Sequence, residues 1–133
     1  MRILLLGATG RTGRHVLEQA LKDGYSINAI VREESKVKVS SPHLRCFQGD
    51  VLDYATLSGA ANGCDAVISV LNVARTSDFP WSKLRTPEYF VSDFMRVMIT
   101  VCREQNIRRI ITCSAWGVLE TKKRPPGMVP VVY

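Results

Sequence analysis

Residues 4–20 read LLLGATGRTGRHVLEQA: a wholly apolar run, three glycines spaced by three, then a polar–apolar mixture. The apolar run, Arg2–Leu6, fits a short buried strand. Thr12–Asp23 carries Val16, Leu17, Ala20 and Leu21 at helical spacing and is closed by Gly24. Between them Gly7, Gly10 and Gly13 form G-x-x-G-x-x-G at a strand-to-helix junction. The first glycine permits the turn off the strand. The second admits close approach of backbone to an anion such as a pyrophosphate, and the third lets the helix pack closely. The N–H groups that open the helix, together with its dipole, attract that anion. Arg11 and Thr12 stand where a guanidinium and a hydroxyl add to those contacts. A merely structural turn does not account for three glycines at this spacing, so a dinucleotide is the expected ligand.

Working outward, the same alternation recurs. Ser26–Val31 predicts a second strand, followed by the charged stretch REESKVK. Leu44–Gln48 predicts a third strand and Ala55–Ala61 a short helix stopped at Asn62-Gly63, with Asp53 as its N-cap. Asp65–Leu71 (DAVISVL) predicts a fourth strand, and Asn72–Pro87 a polar, proline-containing loop. A long helix is expected over Glu88–Gln105, with Phe90, Phe94, Val97, Met98 and Val101 on one side, then a fifth strand over Arg109–Ala115. Near-continuous apolar strands alternating with helices mean a parallel sheet covered on both faces. The fold class is therefore α/β, a doubly wound parallel sheet of the Rossmann type with five strands visible, expected in the order 3-2-1-4-5.

The residue after the second strand reads the adenosine ribose: an acid for NAD, an arginine where a 2′-phosphate must fit. The strand ends NAIVREESK, so Arg32 follows the last apolar residue and Lys36 lies one helical turn on. Two cations at that spacing flank a phosphate. Glu33 also falls at the count expected for an NAD acid; NADP is preferred because Arg32 is nearest the strand end, with NAD the alternative. After the third strand, GDVLD places Asp50 where a carboxylate accepts from an adenine amino group, with Val51 and Leu52 shaping an apolar slot. Leu71, Asn72 and Arg75 enter the same crevice nearer the nicotinamide.

The 133 residues suffice for one domain with its own core, 46% apolar and 23% charged. No run approaches the roughly 20 apolar residues that span a bilayer, and MRILLLGATG lacks a cleavage site. A cytoplasmic protein without membrane attachment is expected. Cys46, Cys64, Cys102 and Cys113 show no metal-ligand spacing and read as reduced, mostly buried thiols; no metal is expected. The net charge of +6 suits an anionic small molecule, while the scattered basic residues, without interleaved aromatics, argue against nucleic acid. The tail WGVLETKKRPPGMVPVVY has three prolines and no evident helix. Residues 1–133 are accordingly expected to be a single NAD(P)-binding domain that forms the N-terminal part of a longer one, a naturally short domain being the alternative.

ILLLGATGRTGRHV, AIVREESKV, GDVLD, DAVISVLN and RIITCSA, spread from Met1 to about Gly117, together resemble the atypical short-chain dehydrogenase/reductases. The NmrA-like NAD(P)H-binding group and the biliverdin reductase B (flavin reductase) group are the most similar. The resemblance implies that Gly7, Thr9, Gly10, Arg11, Thr12 and Gly13 bind the pyrophosphate. It implies that Arg32, Ser35 and Lys36 meet a 2′-phosphate, that Asp50 and Val51 meet adenine, and that Leu71 and Asn72 line the coenzyme channel. Ser114, after the fifth strand, would sit beside the nicotinamide and touch substrate.

Many short-chain dehydrogenases use a Tyr-x-x-x-Lys pair for proton transfer. None occurs here: Tyr25, Tyr54 and Tyr89 lack a lysine four positions on, and Tyr133 is the last residue. The reductases resembled dispense with that pair and rely on orienting hydride donor and acceptor. His15 and His43 have no triad partners at informative spacing; His15 reads as a helix residue near the glycine loop and His43 as a surface residue. Trp116 suits stacking on a flat substrate or core packing equally. Three functions are expected to compete. The first is NADPH-dependent reduction of a flat conjugated molecule such as a flavin, a biliverdin-like tetrapyrrole or a quinone. The second is a non-catalytic NADP sensor of the NmrA type that grips a protein partner. The third is an epimerase or dehydratase relative lacking its substrate half.

Overall fold

The computed structural model describes residues 1–72, 83, 86–87 and 89–113. The elements run β1 (Arg2–Leu6), α1 (Arg11–Lys22), β2 (Ser26–Val31), a 3₁₀ turn (Glu34–Lys36), β3 (Leu44–Gln48), α2 (Tyr54–Ala61), β4 (Ala66–Ser69), α3 (Phe90–Glu104) and β5 (Arg109–Thr112). All strand pairs are parallel, and the sheet order is β3-β2-β1-β4-β5. The expected architecture and order are those observed.

Boundaries moved by one to three residues. β4 is shorter than Asp65–Leu71, yet its ladder continues at both ends, since Asp65 N–H donates to Arg2 O at 2.8 Å and Val70 N–H to Leu6 O at 3.0 Å. Cys113 N–H likewise donates to Ser69 O at 3.0 Å, prolonging β5; Ser114 and Ala115 lie outside the described residues. The helices start or stop within two residues of expectation, as fraying ends do. Asp23 is the C-cap of α1, and Gly24 follows at φ +82°, a left-handed conformation that glycine adopts without strain.

Burial explains the unbroken apolar strands. In β1 Ile3, Leu4, Leu5 and Leu6 are all buried, and their side chains alternate between two cores. Ile3 and Leu5 join Leu17 and Ala20 of α1 with Ile27, Ala29 and Val31 of β2. Leu4 and Leu6 join Ile30, Val67, Leu57 of α2 and Phe94, Met98 and Val101 of α3 on the opposite face. Each of the larger apolar side chains among these contributes about 1.5–3 kcal/mol on burial. Two buried polar residues interrupt this, Ser69 at the end of β4 and Asn28 in β2, the latter donating to Ala60 O at 2.7 Å and accepting from Arg2 Nη1 at 3.1 Å. The thiols are more varied than expected. Cys64 and Cys102 are buried, Cys46 half-buried, and Cys113 exposed because β5 forms a sheet edge among the described residues. Burial raises the Cys64 thiol to about 11, so it is an inert core group.

Because β1 feeds α1 on one face and β4 leads back on the other, strand order reverses between β1 and β4. In such sheets a crevice opens there, beyond the carboxyl ends of the strands.

Candidate functional site

The glycine loop leaves β1 with Gly7 at φ +87°. Gly10 N–H donates to Gly7 O at 3.0 Å, folding the chain back so that α1 begins at once. Gly10 is the N-cap but supplies no side-chain acceptor, and the first turn contains no acid. The sequence of this turn therefore suits the opening amides of α1 to an external acceptor. Gly13 is buried under this turn: a Cβ there would lie 1.9 Å from Gly7 O and 2.7 Å from Gly7 C. No side chain fits against backbone at that distance. At Gly10 an added Cβ would stand 3.2 Å from Gly7 O, a much milder conflict.

A crevice of about 700 Å³, open to solvent, lies at the carboxyl ends of β1, β2, β3 and β4. Its walls include Gly7 and Thr9 of the loop, Arg32, Asp50 with Val51, and Leu71 with Asn72. Seven of the sequence-predicted residues thus converge, and Gly10, Arg11, Thr12 and Gly13 form the adjoining turn and helix start. Five lining residues were missed: Ile30, Val31, Gly49, Thr86 and Phe90. Ile30 and Val31 read only as core strand. Thr86 and Phe90 come from far along the chain, and Phe90 was counted on the apolar side of α3; it does stack on Phe94 with ring centroids 6.5 Å apart.

Gly49 had a legible signal in G-D. An added Cβ would lie 2.6 Å from Thr56 Cγ2, and Thr56 is held: its hydroxyl and N–H both donate to Asp53 Oδ2, at 2.6 and 2.8 Å. Asp53 is the expected N-cap of α2. The Thr56 hydroxyl and N–H hold its carboxyl below the ordinary range. Asp50 is exposed, and its Oδ1 accepts from Leu52 N–H at 2.9 Å, which orients the carboxylate at the crevice rim.

The end of β2 separates the two candidate readers of the ribose. Arg32 lines the crevice, its carbonyl accepting from Gln48 Nε2 at 3.3 Å. Glu33 instead pairs with Lys36, Nζ to Oε1 at 2.8 Å. Lys36 lines a neighbouring hollow with Arg14, His15, Glu18 and Lys38, over an apolar floor that includes Leu17, Val37 and Val39. Ser35 is exposed in the 3₁₀ turn. Lys36 and Ser35 are therefore not brought to the wall that Arg32 shares with Asp50. His15 is exposed on α1 near the loop and His43 is exposed before β3, as expected. Ser114, Arg75, Trp116 and Tyr133 lie outside the described residues.

A crevice with glycine-lined backbone at one end, an arginine at the rim and apolar walls fits an extended anion carrying flat rings. Among the described residues, no cluster of three or more His, Cys, Asp or Glu side chains is disposed to hold a metal ion. No helix among them is long and apolar enough to cross a membrane.

Comparison with known proteins agrees with this geometry. A family model described as NAD(P)H-binding matches residues 7–131. An isoflavone reductase homolog of Zea mays is 35% identical over 86 residues, covering 58% of this chain and 28% of its own length. A photosystem II assembly factor of Trieres chinensis is 29% identical over 119 residues, covering 89% of this chain and 35% of its own. Among solved structures, a Rossmann-fold NAD(P)-binding family protein from Shigella flexneri superposes with a TM-score of 0.69 at 26% identity, over 92% of this chain and 55% of that one. The chain spans well under half the length of these curated relatives.

Proposed function

This chain belongs to the NAD(P)H-binding family, and from that premise we propose that it binds NADPH and serves reduction of a flat, conjugated small molecule such as a flavin, a biliverdin-like tetrapyrrole or a quinone. Within the family we place it nearest the NmrA-like and biliverdin reductase B groups, on the motifs quoted above. The observation that carries the coenzyme reading is the glycine loop, where Gly7 O leaves no room for a Cβ on Gly13 and the Gly10 N-cap brings no side-chain acceptor to the helix start.

NADP is favoured over NAD by the end of β2. Arg32 is the charged residue there that lines the crevice, while the carboxylate at the position of an NAD acid, Glu33, is engaged by Lys36. Arg32 would neutralise a 2′-phosphate by charge-assisted hydrogen bonds. Val51 and Leu71 would flank the rings, and Asp50 would accept from the adenine amino group. Reduced nicotinamide supplies a hydride when bound. The part of residues 1–133 would be to hold and orient partners and exclude water. Tyr54 is not a substitute for a Tyr-x-x-x-Lys pair: its hydroxyl donates to Glu104, which raises it above the ordinary tyrosine value. Ser114, next in sequence to Cys113, is the residue proposed to touch the substrate.

The rival is a sensor whose surface changes with NADP occupancy. The relative named as a photosystem assembly factor supports it. NADPH oxidation followed at its near-ultraviolet band against a panel of flavins, tetrapyrroles and quinones separates the two. Steady turnover with one acceptor is the expected result. Tight NADP⁺ binding with no turnover across the panel would favour the sensor, and no binding of either coenzyme by folded protein would remove both.

A further inference from the structure

Gly49 lines the crevice just past the carboxyl end of β3, yet its backbone does not demand glycine: among the described glycines the positive φ angles belong to Gly7, Gly24 and Gly63. What excludes a side chain there is Thr56, which does not itself line the crevice. A Cβ on Gly49 would lie 2.6 Å from Thr56 Cγ2, 2.7 Å from its Oγ1 and 3.2 Å from its Cβ. Thr56 is not free to swing aside. Its hydroxyl donates to Asp53 Oδ2 at 2.6 Å, and with Oγ1 fixed on a β-branched side chain the methyl is fixed as well. From the other side Gly49 N–H donates to Val31 O at 3.0 Å. The backbone at Gly49 is thus clamped between the end of β2 and the first turn of α2. Asp50 follows directly, its O accepting from Asp53 N–H at 3.1 Å and its Oδ1 from Leu52 N–H at 2.9 Å.

Resting on the coenzyme reading above, we infer that Thr56 is a positioning residue for the adenine end: without touching the ligand, it fixes Gly49 against β2 and thereby sets where the Asp50 carboxylate meets the adenine amino group. A hydrogen bond from that group to a carboxylate is charge-assisted and weakens steeply with misalignment. An alanine at Gly49 must push the Gly49–Asp50 peptide away from α2, because its methyl meets a side chain that Asp53 holds in place. Removing the Thr56 side chain does the opposite and leaves that peptide slack. Either change acts first on recognition of the base, since the pyrophosphate is assigned to the glycine loop at the other end of the crevice wall.

Calorimetric titration with NADP⁺ and with its hypoxanthine counterpart, in which a carbonyl oxygen replaces the adenine amino group, tests this through the ratio of the two dissociation constants. The unsubstituted chain is expected to prefer the adenine form about tenfold, as one charge-assisted hydrogen bond implies. Gly49→Ala should bring the two affinities within about twofold of each other, and Thr56→Ala should lower the preference about threefold. The double variant Gly49→Ala/Thr56→Ala removes both atoms that crowd the new methyl most closely. It should return the preference to within about twofold of the unsubstituted value. Thr56→Ala also loosens the start of α2, but a general loss of stability weakens both nucleotides alike and leaves their ratio unmoved. A ratio unchanged in the single variants overturns the inference, as does a double variant no better than Gly49→Ala. Should Gly49→Ala fail to fold, Thr56→Ala carries the test, and an unchanged preference there overturns it. Equal affinity of the unsubstituted chain for the two nucleotides overturns the inference while leaving the coenzyme reading intact. Failure to bind either one would instead overturn the coenzyme reading, and this inference with it.

Discussion

Gly13→Ala is the sharpest single-residue change available, because the added methyl meets carbonyl oxygen rather than a side chain that can swing away. The loop must open or α1 must slide, at a cost of about 1–3 kcal/mol. Coenzyme titration should show loss of binding well beyond the change in thermal stability. Gly59→Ala is the control, since nothing lies within 4 Å of a Cβ there and it sits within α2. It should stabilise by roughly 0.5–1 kcal/mol. At Arg32 the expectation concerns the coenzyme alone. Arg32→Ala should weaken NADP⁺ by on the order of tenfold and leave NAD⁺ nearly unchanged, because the proposed charge-assisted contact would exist only with the 2′-phosphate. Equal loss for both nucleotides would show that Arg32 meets the pyrophosphate or the ribose instead.

At the scale of an element, α2 depends on its N-cap. Asp53 caps the Thr56 N–H and hydroxyl through one carboxylate oxygen, and Thr56 in turn fills the space that Gly49 leaves beside the crevice. The folded carboxyl lies below its unfolded value of about 3.9. Its stabilisation is therefore fully present above that value and is lost as pH falls through the lower, folded one. Asp53→Asn keeps an acceptor but removes the charge, so melting temperature should change little at pH 7 while its fall in acid becomes shallower. Asp53→Ala removes the cap and should lower the melting temperature by a few degrees at pH 7. An acid limb unchanged in Asp53→Asn would mean that another carboxylate governs it. The cap was legible from Asp followed by a helical pattern. The Gly49–Thr56 fit was not, because it joins a strand end to the middle of a helix turn, and no spacing rule records which side chain fills a glycine's void.

Across the whole molecule the sheet divides the interior into two cores that share strands but few side chains. Ile27 and Ile30, three apart in β2, lie in different ones. Ile27→Val and Ile30→Val should each cost about 0.5–1.5 kcal/mol, and the double variant should equal their sum within about 0.5 kcal/mol in urea unfolding. A clear excess would mean that the sheet transmits repacking from one face to the other. Asn28, between them, belongs to neither expectation. Its hydrogen bonds to Ala60 O and Arg2 tie β2 to α2 and β1, and a buried amide in a run of apolar residues betrays no partner in the linear chain.

Local order decided a great deal. Apolar runs ended by glycine, helical spacing and caps are properties of neighbouring residues, so the alternation of elements was readable directly; the crossover rule for parallel strands then led to the order β3-β2-β1-β4-β5. The glycine triplet was readable for the same reason, since its demands on φ and on close approach act within seven residues. What needed the tertiary structure was every choice between equals: which face of β1 each leucine takes, and which of Arg32 and Glu33 turns to the crevice. It also took the fold to bring Thr86 and Phe90 to a wall begun by Gly7. Those choices rest on contacts between segments far apart in the chain, and packing and charge across such distances leave no periodicity to read.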